Sequence, residues 1–248
     1  VVKLEVNVPS ELKGFHSIFE KLAYSYDWSV IFDDFLEYII LFHNMDTSLK
    51  WSKKYSKDEI KLFWELYREW IKVMDQQLVD DKDWYDLFGI YYEAVIVSKM
   101  NRTYQGQFFT PPNVCNMMAD MTIAAANLRP GQSVNDPCCG SGRNLLAANT
   151  IIKGCYHVGM DLDQTCVFMT IANFLLHGIE GEVIWTNTLT QEFYGAWKVN
   201  EYLNKGIPLP HVRKAQISEL YSYKVPIEVK TEIVEKVVTL DSFMEVSK

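Results

Sequence analysis

Apolar residues recur at spacings of three and four through the first hundred positions, in GFHSIFEKLAYSY (14–26), SVIFDDFLEYIILFHNM (29–45), SKDEIKLFWELYREWIKVMDQQL (56–78) and DWYDLFGIYYEAVIVSKM (83–100). That period gathers the apolar side chains of each stretch on one helical face, which predicts an N-terminal helical bundle. Ser56 and Glu59 form a capping-box start for the third helix. Trp64, Tyr67 and Trp70 are expected to pack between helices rather than to form a base-stacking platform.

Past Asn101 the texture changes. TPPNVCNMMADMTIAAANL (110–128) reads as a helix opened by Pro111 and Pro112. A turn at RPGQ then leads to a strand at Ser133–Asp136, a helix to about Ile152, a strand YHVGMDL, a helix QTCVFMTIANFLLHG and a strand GEVIWTN. This alternation predicts an α/β unit: a parallel sheet with helices on both faces, which binds ligands at the carboxyl ends of its strands. The expected division is a helical domain over 1–103 and an α/β domain over 104–248. Phe193 to Leu203 has helical spacing. The late segment VPIEVKTEIVEKVVTLDSF reads as a strand by the alternation of Ile227, Val229, Thr231 and Ile233. It reads equally as a helix by Val229, Ile233 and Val237.

Composition narrows the class. The 248 residues are 48% hydrophobic and 23% charged, with no apolar run long enough to span a membrane. A globular, soluble, cytoplasmic protein without a secretory leader is expected. The net charge of -8 disfavours a surface given over to phosphate binding. The segment KWSKKYSK (50–57) is accordingly read as a solvated approach to a helix. Cys115, Cys138, Cys139, Cys155 and Cys166 show no metal-ligand spacing and are expected to be reduced thiols.

The candidate chemistry lies in SVNDPCCGSGRNLLAA (133–148), a strand that runs through Gly140 and Gly142 into a helix. Such a turn lets a ligand approach bare backbone at a helix N-terminus. Asp161, roughly 20 residues on, ends the next strand where a carboxylate can take ribose hydroxyls, and Asn187 ends the third strand at adenine height. Asp136 beside the turn attracts an ammonium group and repels a pyrophosphate, which favours S-adenosylmethionine over NAD. An NAD enzyme is disfavoured further because Leu145 occupies the place of the last glycine in Gly-x-Gly-x-x-Gly.

GQFFTPP (106–112), NDPCCGSG (135–142), GMDLD (159–163) and NTL (187–189) together resemble the cofactor half of the N6-adenine DNA methyltransferases. The nearest likeness is to the modification subunits of type I restriction systems, which also place a helical domain ahead of these motifs. The resemblance implies a Rossmann-like S-adenosylmethionine-dependent fold. Phe108, Phe109 and Thr110 would close over the methionine end, while Asp136, Pro137, Gly140, Ser141 and Gly142 would hold its polar groups. Asp161 would bind the ribose and Leu162 would pack on the adenine. Asn187 stands where the family often has Asp, its amide oxygen accepting from the adenine amine. DNA, a specificity or restriction subunit, or a second copy of the chain are the implied partners.

The family grips a flipped adenine with Asn-Pro-Pro followed by Tyr or Phe, and this sequence contains no such run. Asn200 and Tyr202 are not expected to substitute, so no catalytic residue is assigned. A non-catalytic cofactor-binding or assembly module is the alternative to an active methyltransferase. Arg143, His157 and His177 are read as surface or helix-end residues, and no metal site is assigned.

Overall fold

The computed structural model describes residues 7–53, 55–80, 83–99, 108–203 and 205–224. In the helical part, α1 (Lys13–Ala23), α2 (Trp28–Phe42) and α3 (Lys57–Gln77) are followed by α4 (Leu87–Tyr91), a π-helical turn (Tyr92–Ile96) and α5 (Val97–Lys99). The predicted capping box is present: Glu59 N donates to Ser56 Oγ at 3.3 Å, and Ser56 N donates to Glu59 at 2.7 Å. Phe15, Phe19, Phe32, Phe35, Phe63, Trp70, Phe88 and Tyr91 are fully buried. Each such ring contributes about 1.5–3 kcal/mol by leaving water. Trp70 and Tyr67 lie in this core as expected, whereas Trp64 stays 42% exposed and stacks on Tyr67 at the rim.

In KWSKKYSK, Lys53 bridges Asp34 (2.8 Å) and Glu37 (3.2 Å), while the Tyr55 hydroxyl donates to buried Asp34 at 2.6 Å. Lys53, Trp51 and Tyr55 are therefore used within the fold, while Lys50 and Lys57 are exposed as expected of a solvated approach to a helix.

The sheet is built from β1 (Ser133–Asp136), β2 (Tyr156–Asp161), β3 (Gly181–Asn187), β4 (Glu192–Val199) and β5 (Val212–Lys214), in that spatial order. β1, β2 and β3 are parallel, with α7 (Arg143–Ile151) and α8 (Gln164–Leu176) as crossovers. α6 (Pro112–Ala126) precedes β1 and packs on α7. β4 and β5 are antiparallel to their neighbours, so the sheet is mixed rather than wholly parallel.

The helical spacing read over Phe193–Leu203 is overturned here. β3 and β4 are joined by only Thr188–Gln191, with Gln191 at φ 61°, and so short a connection returns antiparallel. Gly195, Trp197 and Val199 alternate onto one face opposite Trp185, Val183 and Gly181.

That face is covered by α7 and α8, and α2 lies across α8, so one hydrophobic cluster runs from Leu12 to Val212. The opposite face carries the small cluster of Val158, Ile184 and Ala196. Among the described residues it is covered by Ala215 and Leu220, not by long crossover helices as expected. α9 (Tyr221–Lys224) follows, its first amides donating to buried Glu182. The stretch read as either strand or helix lies outside the described residues. No helix among the described residues is long and apolar enough to cross a membrane.

Asn200, at φ 55°, ties this end of the sheet together. Its Nδ2 donates to the carbonyls of Phe174 (2.9 Å) and Ile179 (3.1 Å), and its Oδ1 accepts from His211 N (3.1 Å). Asn200 lies at the far end of β4 from the tips of β1–β3. Asn200→Ala is expected to lower Tm by about 5 °C or more, because each orphaned buried polar group costs about 1–3 kcal/mol and each kcal/mol about 2–4 °C in a chain of this size. Asn200→Gly, which relieves the left-handed backbone without restoring the amide, should lose nearly as much in the same thermal melt.

Candidate functional site

The tips of β1 and β2 are locked together through the glycine turn. Asp136 Oδ1 accepts from Cys138 N at 3.1 Å, and its Oδ2 accepts from Asn144 Nδ2 at 3.2 Å. Gly140 N donates to Asp161 Oδ2 at 2.8 Å, Cys139 N to Met160 O at 2.9 Å, and Thr170 Oγ1 to Gly140 O at 2.9 Å. Gly140 (φ 56°) and Gly142 (φ 89°) occupy the left-handed region where a side chain is strained. A Cβ on Gly140 would also lie 2.9 Å from the Phe109 ring, so that ring can close on the turn only over glycine.

Asp161 Oδ1 accepts from Asp163 N at 2.9 Å. Burial pushes the Asp161 carboxyl above its ordinary range, while the amides of Asp163, Gly140 and Leu162 pull it back. An ionised carboxylate has about four acceptor positions, so with these three partners about one remains for a ligand's hydroxyl. Leu162, next along, is 58% exposed, and Trp185 Nε1 donates to its carbonyl.

Behind the turn is a buried polar cluster that the sequence reading missed. Asp86, at the start of α4, accepts from Ser141 Oγ (2.6 Å), Arg143 Nε (2.6 Å), Asn173 Nδ2 (2.8 Å) and Gly89 N (2.9 Å). Arg143 also donates to Glu93 (2.8 Å) and to Thr110 O (3.3 Å), and its guanidinium lies 5.3 Å from the Phe109 ring centre. Burial opposes its charge, but Asp86 and Glu93 together hold its pKa above the ordinary value. Glu93 accepts in turn from Phe109 N at 3.0 Å. Asp86 ahead of the apolar run LFGIYY is a legible helix N-cap, the one sequence signal that could have pointed to this cluster.

The structure therefore places Asp136, Pro137, Gly140, Gly142 and Asp161 at the neighbouring tips of β1 and β2, with Phe109 and Thr110 beside the turn and Leu162 next to Asp161. Gly106 and Gln107 of the aromatic motif lie outside the described residues, and Phe108 is 82% exposed. Two side chains are placed differently from their expected roles. The Ser141 hydroxyl turns away into Asp86, so only its backbone faces the turn. The Asn187 oxygen accepts from Leu189 N and Thr190 N, both at 3.1 Å, which commits both of its lone pairs to closing the turn after β3.

Of the three residues read as surface or helix-end, two lie at helix ends: Arg143 opens α7, though buried in the cluster just described, and His177 caps the end of α8, its ring accepting from Tyr85 N at 3.2 Å. His157 is corrected: it is fully buried within β2, where burial lowers its pKa to about 4.

Residues 83–203, the span that carries the turn, the crevice and the Asp86 cluster, match the family model of the N-6 DNA methylases. A curated relative is the type I restriction enzyme EcoEI methylase subunit of Escherichia coli, 30% identical over 107 residues, or 38% of this chain and 21% of that protein. With these matches the resemblance to N6-adenine DNA methyltransferases, and among them to type I modification subunits, is shown. A solved type I restriction-modification methyltransferase subunit from Streptococcus thermophilus is 20% identical, with a TM-score of 0.36, covering 66% of this chain and 36% of that one. That similarity is too slight to bear on the topology. The chain spans about a fifth of the length of the curated relative and about a third of the solved one.

Two outcomes follow from the site's electrostatics. Asp86→Ala leaves Ser141, Arg143 and Asn173 without their shared acceptor and should cost about 3–5 kcal/mol in urea denaturation. Asp33 on α2, which accepts from Thr165 Oγ1 at 2.7 Å, is pushed up to about 6 by burial and by nearby Asp163. Its native pKa lies above the unfolded value near 4, so stability is lost as pH rises from about 4 through 6. Asp33→Asn keeps the acceptor without the charge. The variant should match the wild type near pH 4 and exceed it by up to about 2–3 kcal/mol at pH 7. Denaturation midpoints that stay parallel across this range would refute the assignment.

Proposed function

We propose that the crevice at the tips of β1–β3 binds S-adenosylmethionine and that the chain serves methyl transfer to the N6 amine of adenine in DNA. The observation that carries this reading is the Gly140 N to Asp161 hydrogen bond, which joins the glycine turn after β1 to the carboxylate at the tip of β2, beside the β1 tip that ends in Asp136. The residue set suits the cofactor: Asp136 would attract its ammonium, Asp161 keeps an acceptor position for a ribose hydroxyl, and the absent Gly140 side chain lets the Phe109 ring approach the turn. Pro137, Gly140, Ser141 and Gly142 would hold it through backbone. Phe108, Phe109 and Thr110 would cover the methionine end, and Leu162 the adenine. When bound, the cofactor supplies a methyl group activated on a sulfonium. The surrounding Rossmann-like unit over 104–248, a helical domain over 1–103, a cytoplasmic setting and work alongside a specificity or restriction subunit belong to the same reading.

A second reading, a cofactor-binding module without its own grip on the target base, is favoured by the absence of an Asn-Pro-Pro-aromatic run and by the burial of Asn200. Calorimetric titration with S-adenosylmethionine tests the shared claim. Wild type should bind, while Asp136→Ala and Asp161→Ala should weaken binding by at least about tenfold, or 1.4 kcal/mol. A folded sample at high micromolar concentration that gives no heat refutes cofactor binding. Labelled methyl incorporation into an adenine-rich duplex, abolished by Asp136→Ala, would exclude the inert module. Binding without incorporation would favour it.

A further inference from the structure

Two adjoining hollows lie at the amino ends of β1–β3, the end of the sheet remote from the strand tips that carry the glycine turn. One, of about 240 Å³, sits between the segment after α3, where Leu78 and Asp83 line it, and the ends of α7 and α8. The other, of about 440 Å³, is walled by the bare backbone of Gly131, Gly154 and Gly178 and by Tyr156 and Tyr221. Asn149, Lys153 and His177 line both, so the two make one groove with these three residues at its waist.

The groups at the waist are unevenly committed. Asn149 is only 7% exposed, yet its carboxamide makes no hydrogen bond among the described residues. Buried amides in folded proteins nearly always have a partner, so one that opens on two hollows is set for something that enters them. Lys153 makes no ion pair among the described residues, and its charge opposes protonation of both His157 and His177. Burial lowers the His177 pKa to about 4, which leaves the ring neutral at pH 7. Both its nitrogens are used, Nδ1 donating to Asn173 O at 2.7 Å and Nε2 accepting from Tyr85 N.

The acidic side chains of the walls are already engaged. Glu180 pairs with Lys205 at 2.7 Å, Asp83 Oδ2 accepts from Val79 N and Asp80 N at 3.0 Å, and Asp80 has a partner too. What remains is one ammonium and one carboxamide, a donor set for an anion. The anion carries a single charge, because α7 and α8 turn their negative ends to this place and three carboxylates share its walls. The Tyr221 ring, 43% exposed and 5.4 Å from that of Tyr156, offers apolar surface in the larger hollow.

We propose that this groove binds a small monocarboxylate, its oxygens on Lys153 Nζ and Asn149 Nδ2 and its apolar body in the larger hollow against Tyr221. None of the groove's residues belongs to the proposed cofactor site, so the two proposals stand or fall separately.

Nitrogen-15 NMR of the full chain titrated with benzoate tests this. The Asn149 side-chain amide and the backbone amides of Gly154 and Gly178 should shift together with a Kd of about 1 mM or tighter, a modest efficiency for so small a ligand. Asn149→Ala and Lys153→Met should each weaken binding at least about fivefold, whereas Lys153→Arg, which keeps the charge, should stay within about twofold. Lys153 is exposed, so its variants should melt like the wild type. Benzamide, the same shape without the charge, and inorganic phosphate should each bind at least about tenfold more weakly than benzoate. Signals that do not move overturn the proposal, as do shifts centred on Gly140 and Gly142 instead. Binding indifferent to Asn149→Ala and Lys153→Met, or matched by benzamide or phosphate, overturns it as well.

Discussion

The carboxylate of Asp86 holds the helical layer and the glycine turn in a single arrangement. Its two oxygens accept from groups on three separate segments: the start of α4, the turn with the first residue of α7, and the middle of α8. A buried charge of this kind is tolerated only when it is fully partnered, so the three segments have little freedom to move independently. Arg143 extends the constraint through Glu93 and Thr110 to the segment bearing Phe109. The aromatic that closes on Gly140 is thus placed by the same charges that fix the backbone beneath it.

Sheet topology follows from connection length. Where a helix of adequate length intervenes, as between β1 and β2 and between β2 and β3, the strands return parallel and their carboxyl ends collect at one rim. Where only four residues intervene, after β3, the chain can only fold back. The rim with the crevice is therefore built entirely by the first three strands, while β4 and β5 lengthen the sheet on the side away from β1. Val212 N donates to His43 O and Met45 N donates to Val212 O, which ties the end of α2 to the last strand, so the helical layer is anchored at both sides of the sheet.

Much of this was legible in the residues. The three- and four-spaced apolar positions located α1 to α3 and α6 to α8, because amphipathic helices carry their burial pattern in sequence. The glycine turn and Asp161 were legible because left-handed backbone and a carboxylate at a strand tip are local requirements. β4 was misread because Phe193, Ala196 and Trp197 fall at helical spacing while a register shift opposite Trp185/Thr186 puts Phe193 on the other face from Trp197 and Val199 and spoils a clean strand alternation; the brevity of the preceding turn decided between the two. Arg143, Ser141 and Asn187 were misjudged for a different reason. Where a polar side chain points depends on its partner, and the partners of Ser141 and Arg143 lie some fifty residues earlier in the chain at Asp86 and Glu93. No local pattern reports a contact at that separation.

The π-helical turn over Tyr92–Ile96 has a consequence for how this arrangement tolerates change in length. A π turn holds one residue more than the α-helical geometry on either side of it. Deleting a single residue there would let the segment close as ordinary helix with Val97 and the residues after it still in phase with α4. Deleting one from α4 while the wide turn persists would instead swing Glu93 by about 100° around the helix axis relative to Asp86, and away from Arg143. The wide turn is thus the place in this helix where the loss of one residue is absorbed locally.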